Sequence, residues 1–251
     1  MIILTIDTDW APEEATGAVL EKVRALGVKV TVFFSTPSAV TEAPWPLLEI
    51  GCHPDLSRRQ GQSQPDGGLA MATLADDAAV DAAESGILSD YRSAFPRARA
   101  IRTHRFYWHS DLSRNLVKNG FVHDSSMIMP FHPGLQGFKV GKLTRWPVWS
   151  SDHLHLARHL PLDRLALPNL ESPGLKIFCF HVAYLHLNVA SLSEFNMVKT
   201  RLADGRGREP VASGPGVWDL FEKLAARVLE ESPGRWLSEI PPEFIVKGPS
   251  A

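Results

Sequence analysis

Short apolar runs rich in β-branched residues recur along the chain and alternate with amphipathic stretches of helical period. The apolar runs predict seven strands, at residues 2–7, 28–34, 49–53, 100–104, 121–125, 143–149 and 175–181. The helical stretches lie at residues 13–26, 74–95, 112–119 and 217–230. Strands that alternate with helices indicate a mostly parallel sheet. About seven such units are enough to close a distorted (β/α)7-type barrel, and an open doubly wound sheet is the alternative.

The length of the chain is compatible with one substantial core. With 251 residues, of which 44% are hydrophobic, residues 1–251 are expected to form a single α/β domain. Two segments rich in glycine, proline and polar residues, 58–70 and 203–216, are predicted to be long surface loops.

Charge and cysteine content exclude several classes of protein. The 26 basic and 28 acidic residues are nearly balanced and scattered, so no nucleic-acid partner is expected. Cys52 and Cys179 are too few for a disulfide framework, and each lies in an apolar run as a small buried side chain. No run approaches a membrane span, and the N-terminus has no secretory signal pattern. The sequence therefore predicts a soluble, cytoplasmic protein and leaves the oligomeric state open.

Polar side chains stand where the predicted strands end. In chain order they are Asp7, Asp9, His53, Arg102, His104, Asp124, Asp152 and His181. In parallel α/β folds the carboxyl ends of the strands form one rim, at which active sites assemble from several strands. We therefore expect these side chains to meet in space.

Asp7 and Asp9 follow the first strand and face the same side of it, because side chains alternate along a strand. Two like charges in one small space need a metal ion, an arginine or a shared proton. A plainer interpretation is that the two residues only open the loop and cap the next helix. A carboxylate beside imidazoles is typical of a catalytic divalent metal site. The pattern predicts that Asp9 binds the metal and that Asp7 is a general base.

Three further strand ends complete the predicted machinery. Arg102 would hold Asp7 ionised and oriented, with Asp124 or Asp152 as its counter-charge. His181, on a different strand, would protonate the leaving group.

The polar strand ends belong to an ordered series of short motifs. In chain order these are TIDTD, EIGCHPDLS, AIRTHRFY, VHDSSM with PVWSSD, and KIFCFH. Over roughly residues 1–190 the series resembles the NodB-homology polysaccharide deacetylases of carbohydrate esterase family 4. It is most similar to an outlying group associated with bacterial O-antigen and surface-polysaccharide assembly. The resemblance implies a distorted barrel and a metal-dependent hydrolase that removes an acyl group, most often acetyl, from an amino sugar.

The resemblance also implies individual roles. They are the catalytic base Asp7, metal ligands Asp9 and His53, Arg102 beside the base, fourth-motif residues Asp124 and Asp152, and the catalytic acid His181. A backbone N–H near Phe106 or Tyr107 would bind the oxyanion.

One position departs from the family pattern. The second motif normally supplies two histidines four residues apart, and the residue four after His53 is Ser57. The third ligand would then be Asp55 or His104. His104 is favoured because it lies two residues beyond Arg102, on the same side if the strand continues. Mixed nitrogen and oxygen ligands favour zinc as the divalent metal.

The expected function is deacetylation of an amino sugar or glycan precursor. A cytoplasmic location favours a nucleotide-sugar or a lipid-linked glycan as substrate. Alternatives are hydrolysis of another amide, a catalytically inactive sugar-binding barrel, as Ser57 would allow, or the DxD motif of a glycosyltransferase. The last is weakened because no nucleotide-binding unit precedes Asp7.

Several aromatic and histidine side chains flank the motifs. Tryptophans 10, 108, 146 and 149 are candidates either for sugar stacking or for the core. His109, His155 and His159 are predicted to be surface residues.

Overall fold

The structure is a computed structural model that describes residues 1–41, 45–56, 77–203 and 214–246. These residues form nine strands and seven helices. The strands are β1 (Ile2–Asp7), β2 (Val30–Phe34), β3 (Leu48–Cys52), β4 (Ala100–Ile101), β5 (His123–Asp124), β6 (Phe138–Val140), β7 (Leu143–Arg145), β8 (Ser150–Ser151) and β9 (Lys176–His181). The helices are α1 (Glu13–Leu26), α2 (Asp77–Ala94), α3 (Leu112–Lys118), α4 (Asp152–Ala157), α5 (Val182–Leu187), α6 (Leu192–Ala203) and α7 (Val217–Leu229).

All nine strands belong to one sheet in the order β6-β7-β5-β4-β3-β2-β1-β9-β8. Every neighbouring pair is parallel except β6 with β7. The sheet is curled into a half-barrel whose edges are β6 and β8, with helices packed against it. The predicted distorted barrel of α/β class is therefore confirmed.

The position of β1 explains where a site can form. Its buried apolar residues pair with β2 on one side and with β9 on the other. In this register Asp7 stands level with Phe33 of β2 and with His181 of β9. Because the pairs are parallel, the carboxyl ends of these three strands lie at the same rim.

Helices α1 and α7 cover the sheet with apolar stripes of helical period. In α1 the buried side chains include Val19, Leu20 and Val23, and in α7 they include Leu220 and Phe221. Both helices pack against α5, which is buried along most of its length. Among the described residues, no helix combines the length and hydrophobicity that crossing a bilayer requires.

Several predicted strands are shorter in the structure. The fourth was predicted to run to His104 but ends at Ile101, because the chain enters a 3-10 turn at His104–Phe106. This turn is tied back by the Thr103 hydroxyl, which donates to the Tyr107 carbonyl at 2.6 Å. The fifth and sixth predicted strands, at 121–125 and 143–149, also keep only two and three residues, as β5 and β7.

Two strands and three helices were not predicted. Strands β6 and β8 and helices α4 and α5 are too short to show a clear period. The third helix, α6, has 12 residues and was not recognised in the sequence. The predicted loop 58–70 lies outside the described residues, as does most of 203–216.

A close approach in β3 gives a test of the sheet packing. A Cβ added to Gly51 would meet the Phe33 ring at 2.5 Å, and this ring lies under the Arg102 guanidinium. We expect Gly51→Ala to lower the free energy of unfolding by about 1–3 kcal/mol, as overpacking typically does. The control is Gly17→Ala in α1, where an added Cβ has no atom within 4 Å. This substitution should raise the free energy of unfolding by about 0.5–1 kcal/mol, because alanine favours the helix more than glycine does. Urea unfolding measures both; equal stabilities for the two variants would contradict the packing.

Candidate active site

A cavity of about 440 Å³ opens at the rim where β1, β3, β4 and β9 end. Its floor carries six of the predicted site residues: Asp7, Asp9, His53, Arg102, His104 and His181. Its walls are mostly apolar and include Trp10, Phe106, Ile128 and Leu154. The structure thus brings together residues that are separated by up to 174 positions in the chain.

Asp7 and Arg102 form a buried ion pair at the base of the cavity. Arg102 Nη1 donates to Asp7 Oδ1 at 2.8 Å and to Thr5 Oγ1 at 2.9 Å. Its Nη2 and Nε donate to the hydroxyl and carbonyl of Ser125. Burial opposes the charge on Arg102 and would lower its pKa. The Asp7 carboxylate has the larger effect and raises the pKa of the guanidinium. The position of Oδ1 is therefore fixed by a fully hydrogen-bonded partner.

The second oxygen of Asp7 has a different environment. Cys179 Sγ donates to Oδ2 at 3.3 Å, and His53 Nε2 lies 3.9 Å from the same oxygen. Burial raises the pKa of the Cys179 thiol, which therefore keeps its proton and remains a donor. Oδ2 faces the group of histidines while Oδ1 faces the arginine.

Asp9, His53 and His104 form a compact group beside Asp7. Asp9 Oδ1 lies 3.4 Å from His53 Nε2, and Asp9 Oδ2 lies 3.5 Å from His104 Nδ1. One ligand atom from each of the three residues lies within 4.8 Å of the others. This is the distance range that a metal ion between them requires, because such ligands bind at about 2.0–2.2 Å.

The hydrogen bonds of this group test whether it fits a cation. His53 Nδ1 lies 2.7 Å from the Arg102 carbonyl, which can only accept, so Nδ1 carries a proton. In the neutral ring, the lone pair of Nε2 then points at Asp9. Both Asp9 oxygens are buried and have no hydrogen-bond partner among the described residues. Facing lone pairs and an orphaned carboxylate fit a positive charge between them.

The pKa shifts agree with this reading. Burial would raise the pKa of Asp9, but the nearby imidazoles of His53 and His181 have the larger combined effect, so this pKa is lowered. Burial opposes charge on His53, but Asp7 and Asp9 raise its pKa, so this position attracts a proton or a metal ion. Burial lowers the pKa of His104, which leaves a neutral imidazole that can act as a ligand.

His181 is held by Asp152 on the other side of the cavity. Asp152 Oδ1 lies 2.7 Å from His181 Nδ1, and its Oδ2 accepts the His181 backbone N–H at 2.6 Å. Burial opposes charge on His181, but Asp152 outweighs it and raises the pKa to about 10. The Trp10 ring is stacked on the imidazole, with centroids 5.2 Å apart. The backbone of Trp10 is left-handed, with φ at 61°, and this residue is 48% exposed.

Asp124 does not reach the cavity, and the predicted counter-charge of Arg102 is corrected. Asp124 Oδ2 accepts from Arg145 Nε at 2.6 Å, because β5 and β7 pair these two residues directly. Asp152 is engaged with His181. The carboxylate that neutralises Arg102 is therefore Asp7 itself, while Asp124 contributes only a weaker charge effect.

The structure also places the competing ligand candidates. Asp55 is not part of the group around Asp9, and Ser57 lies outside the described residues. His104 reaches Asp9 from the 3-10 turn, and its backbone N–H donates to the Pro54 carbonyl at 3.0 Å. The continuing strand that favoured His104 is therefore absent, although the side chain lies where that prediction expected it.

The backbone donors predicted for an oxyanion are engaged elsewhere. The Phe106 N–H donates to the Thr103 carbonyl at 3.0 Å, and the Tyr107 N–H donates to the His104 carbonyl at 3.2 Å. Both bonds belong to the turn itself. The expectation that one of these groups serves an oxyanion is not supported by this geometry.

Some aromatic and histidine residues differ from expectation. His155 is buried at 1% exposure, with Nε2 3.1 Å from Ser150 Oγ, so its predicted surface position is wrong. His109 is half-buried and contacts Glu84. Of the four tryptophans, Trp10 lines the cavity, whereas Trp146 and Trp149 belong to the core.

The polar groups in or beside the cavity that sequence reasoning missed include Cys179, Arg105 and His153. Cys179 stands two residues before His181, so strand alternation was a usable signal. Arg105 depends on a left-handed turn, and His153 on a short helix that has no clear sequence pattern.

A solved structure supports the fold described above. A proposed polysaccharide deacetylase involved in O-antigen biosynthesis, from Bordetella bronchiseptica, has a similar structure with a TM-score of 0.75 at 19% identity, over 90% of each chain. A family 4 carbohydrate esterase from Streptomyces lividans, in complex with acetate, matches at a TM-score of 0.44 and 12% identity, over 86% of this chain and 96% of its own. The comparison with curated proteins gives no match.

A family model described as a WbmS-like polysaccharide deacetylase matches residues 4–199, which includes the motifs from Asp7 to His181. This span is more than half of the chain. The protein belongs to the WbmS-like polysaccharide deacetylase family.

Proposed function

We propose that this protein is a metal-dependent amide hydrolase that removes an acyl group, acetyl in the first instance, from an amino sugar. The observation that carries the proposal is one cavity with an arginine-bound carboxylate, Asp7, beside an orphaned carboxylate, Asp9, and a protonated histidine, His181. The proposed base, cation site and acid therefore line the same cavity.

The substrate is proposed to be an intermediate of surface-polysaccharide or O-antigen biosynthesis: an amino sugar, a nucleotide-sugar or a lipid-linked glycan. Support comes from the family match and from the Bordetella structure, whose described role is in O-antigen biosynthesis. Free, buried Cys52 and Cys179 support a reducing compartment, and a cytoplasmic location remains a prediction.

Asp9, His53 and His104 would hold a divalent ion, with zinc favoured by two imidazoles and one carboxylate. When bound, such an ion supplies Lewis-acid polarisation of the amide carbonyl and activation of water. His53 is oriented for this task by its Nδ1 contact with the Arg102 carbonyl, as metal-binding histidines usually are.

Asp7 would take the proton of the attacking water through Oδ2. Its Oδ1 is occupied by Arg102, so Oδ2 is the oxygen that faces the candidate ligands. The Cys179 S–H uses one lone pair of Oδ2 and leaves another for the water. Arg102 thus acts as a positioning residue that holds the base in place.

His181 would give its proton to the departing amine. Asp152 holds Nδ1, so the opposite nitrogen, Nε2, is the one available as donor. The raised pKa keeps the ring protonated at neutral pH, which an acid for an amine leaving group requires.

The first test of this function measures metal binding by the three candidate ligands. The purified chain, loaded with zinc, should bind about one ion, as a three-residue catalytic site does. His104→Ala should weaken binding by at least about tenfold, while the control Asp55→Ala should barely change it. Competition with a chelator measures both. Full affinity in His104→Ala would place the third ligand elsewhere. No binding by the wild-type chain would favour the inactive sugar-binding barrel.

The second test removes the base. Asp7→Asn should lower kcat on the order of a hundredfold or more while metal content stays the same. It should also reduce the free energy of unfolding by about 3–5 kcal/mol, because Arg102 is left buried without a carboxylate. Assays therefore need a temperature at which urea unfolding shows the variant folded. The control Asp111→Asn removes an exposed ion pair with Arg114 and should change neither kcat nor the free energy of unfolding. Unchanged turnover in Asp7→Asn would exclude Asp7 as the base.

The third test uses pH. His181 is protonated below its raised pKa of about 10, so the acid is lost, and kcat falls, as the pH rises through that region. In Asp152→Asn the charge that raises this pKa is gone and burial lowers it. The alkaline fall of kcat should therefore move to lower pH. The exposed Asp163→Asn serves as control and should keep the wild-type profile. An unmoved alkaline limb in Asp152→Asn would rule out His181 as the acid.

A further inference from the structure

Arg105 is a cation on the cavity wall that the reaction described above does not use. It is exposed and lines the cavity between His104, a candidate metal ligand, and Phe106. A group held by Arg105 would lie close to the reacting end of a substrate in this cavity.

No described residue neutralises the guanidinium of Arg105. Within the part of the chain that the structure describes, no ion pair or hydrogen bond of this side chain is found. Arg102, the other arginine of the cavity, is by contrast paired with Asp7. Arginine stays charged at any physiological pH, so Arg105 offers a free planar set of donors to the cavity.

The backbone at this point adopts an unfavourable conformation. Arg105 has φ 58° and ψ 23°, and the next residue, Phe106, has φ 54°. Left-handed conformations are strained for residues with a side chain, and two in succession cost more than one. The turn is held by the Thr103 hydroxyl bond to the Tyr107 carbonyl. As a result the side chains of both strained residues line the cavity.

The charges around the cavity favour an anion near Arg105. Two carboxylates line the cavity, Asp7 and Asp9, and both belong to the reacting end. The rest of the wall, as far as the structure describes it, carries no further carboxylate: it is apolar, as at Ile128 and Leu154, or holds hydroxyl groups and a histidine, His153. An anionic group beside Arg105 would therefore meet a cation without an adjacent competing carboxylate among the lining residues.

We propose that Arg105 binds an anionic group of the substrate next to the acylated amine, so that the substrate is an amino sugar that carries a phosphate or a carboxylate. This inference rests on the proposed deacetylase function and names its substrate class. The guanidinium matches either group through two parallel N–H···O bonds.

The test compares three probes on the full chain loaded with zinc. They are neutral N-acetylglucosamine, its 1-phosphate, and the corresponding N-acetylated uronic acid. Titration calorimetry in the Asp7→Asn background measures binding without turnover. The anionic probe that fits should bind at least about tenfold more tightly than the neutral one, and added salt should reduce this difference. Preference for the phosphate would indicate a phosphorylated or nucleotide-linked sugar, and preference for the carboxylate a uronate.

Three variants separate recognition from folding. Arg105→Gln should abolish the preference for the anionic probe and leave the neutral probe unchanged. Arg105→Gly should do the same while the melting temperature holds or rises, because glycine adopts the left-handed backbone without strain. The control Arg114→Gln changes an exposed arginine that pairs with Asp111 on α3 and should keep the preference.

Two results would overturn the inference. One is equal affinity for neutral and anionic probes in the Asp7→Asn background that retains Arg105. The other is a uniform loss of affinity for all probes in Arg105→Gln, which would mean a structural role. Deacetylation of the neutral probe by the wild type as efficient as that of the anionic probes, with no change in Arg105→Gln, would keep the proposed function and reject this inference alone. An anion preference without any deacetylation would instead reject the proposed function.

Discussion

The buried ion pair between Asp7 and Arg102 is the constraint around which the site is organised. Removing two charges from water is costly, and the pair is tolerable only because its remaining donors are satisfied by Thr5 and Ser125. These partners come from β1 and from the segment after β5, and the guanidinium lies over Phe33 of β2. One side chain therefore couples several strands at the rim, and the sheet in turn fixes the orientation of Asp7.

The distribution of counter-charges follows from that arrangement. Three buried carboxylates at the strand ends each have a cationic partner: Asp7 with Arg102, Asp124 with Arg145, and Asp152 with His181. Asp9 differs from them, because both of its oxygens lack a hydrogen-bond partner among the described residues and its neighbours are imidazoles. An orphaned carboxylate at this depth is unfavourable unless a cation joins it. Asp9 is thus a buried carboxylate of the site that still lacks a cation among the described residues, at the point where the proposed metal would bind.

Long periodic segments were predictable from sequence, and short ones were not. Strand β1 and helix α1 agree with prediction to the residue, because a continuous apolar run and a regular stripe leave little ambiguity. Strand β4 has two residues, too few to carry a pattern, and its predicted extension to His104 is a turn. The rim residues could be anticipated because parallel strands place their ends together. Their partners could not, since the pairing of Asp124 with Arg145 depends on which strands are neighbours.

The 3-10 turn at His104–Phe106 carries both a candidate metal ligand, His104, and the proposed anion-binding residue, Arg105. Its first residue, His104, faces Asp9 and is anchored to the loop after β3 by its bond to the Pro54 carbonyl. Its second residue, Arg105, owes its direction to the left-handed backbone. Under the two proposals, a turn that replaces the missing second-motif histidine also sets the charge of the accepted substrate. A conformational change that moved this turn would be expected to alter metal binding and substrate selection together, because the two residues are adjacent in one turn.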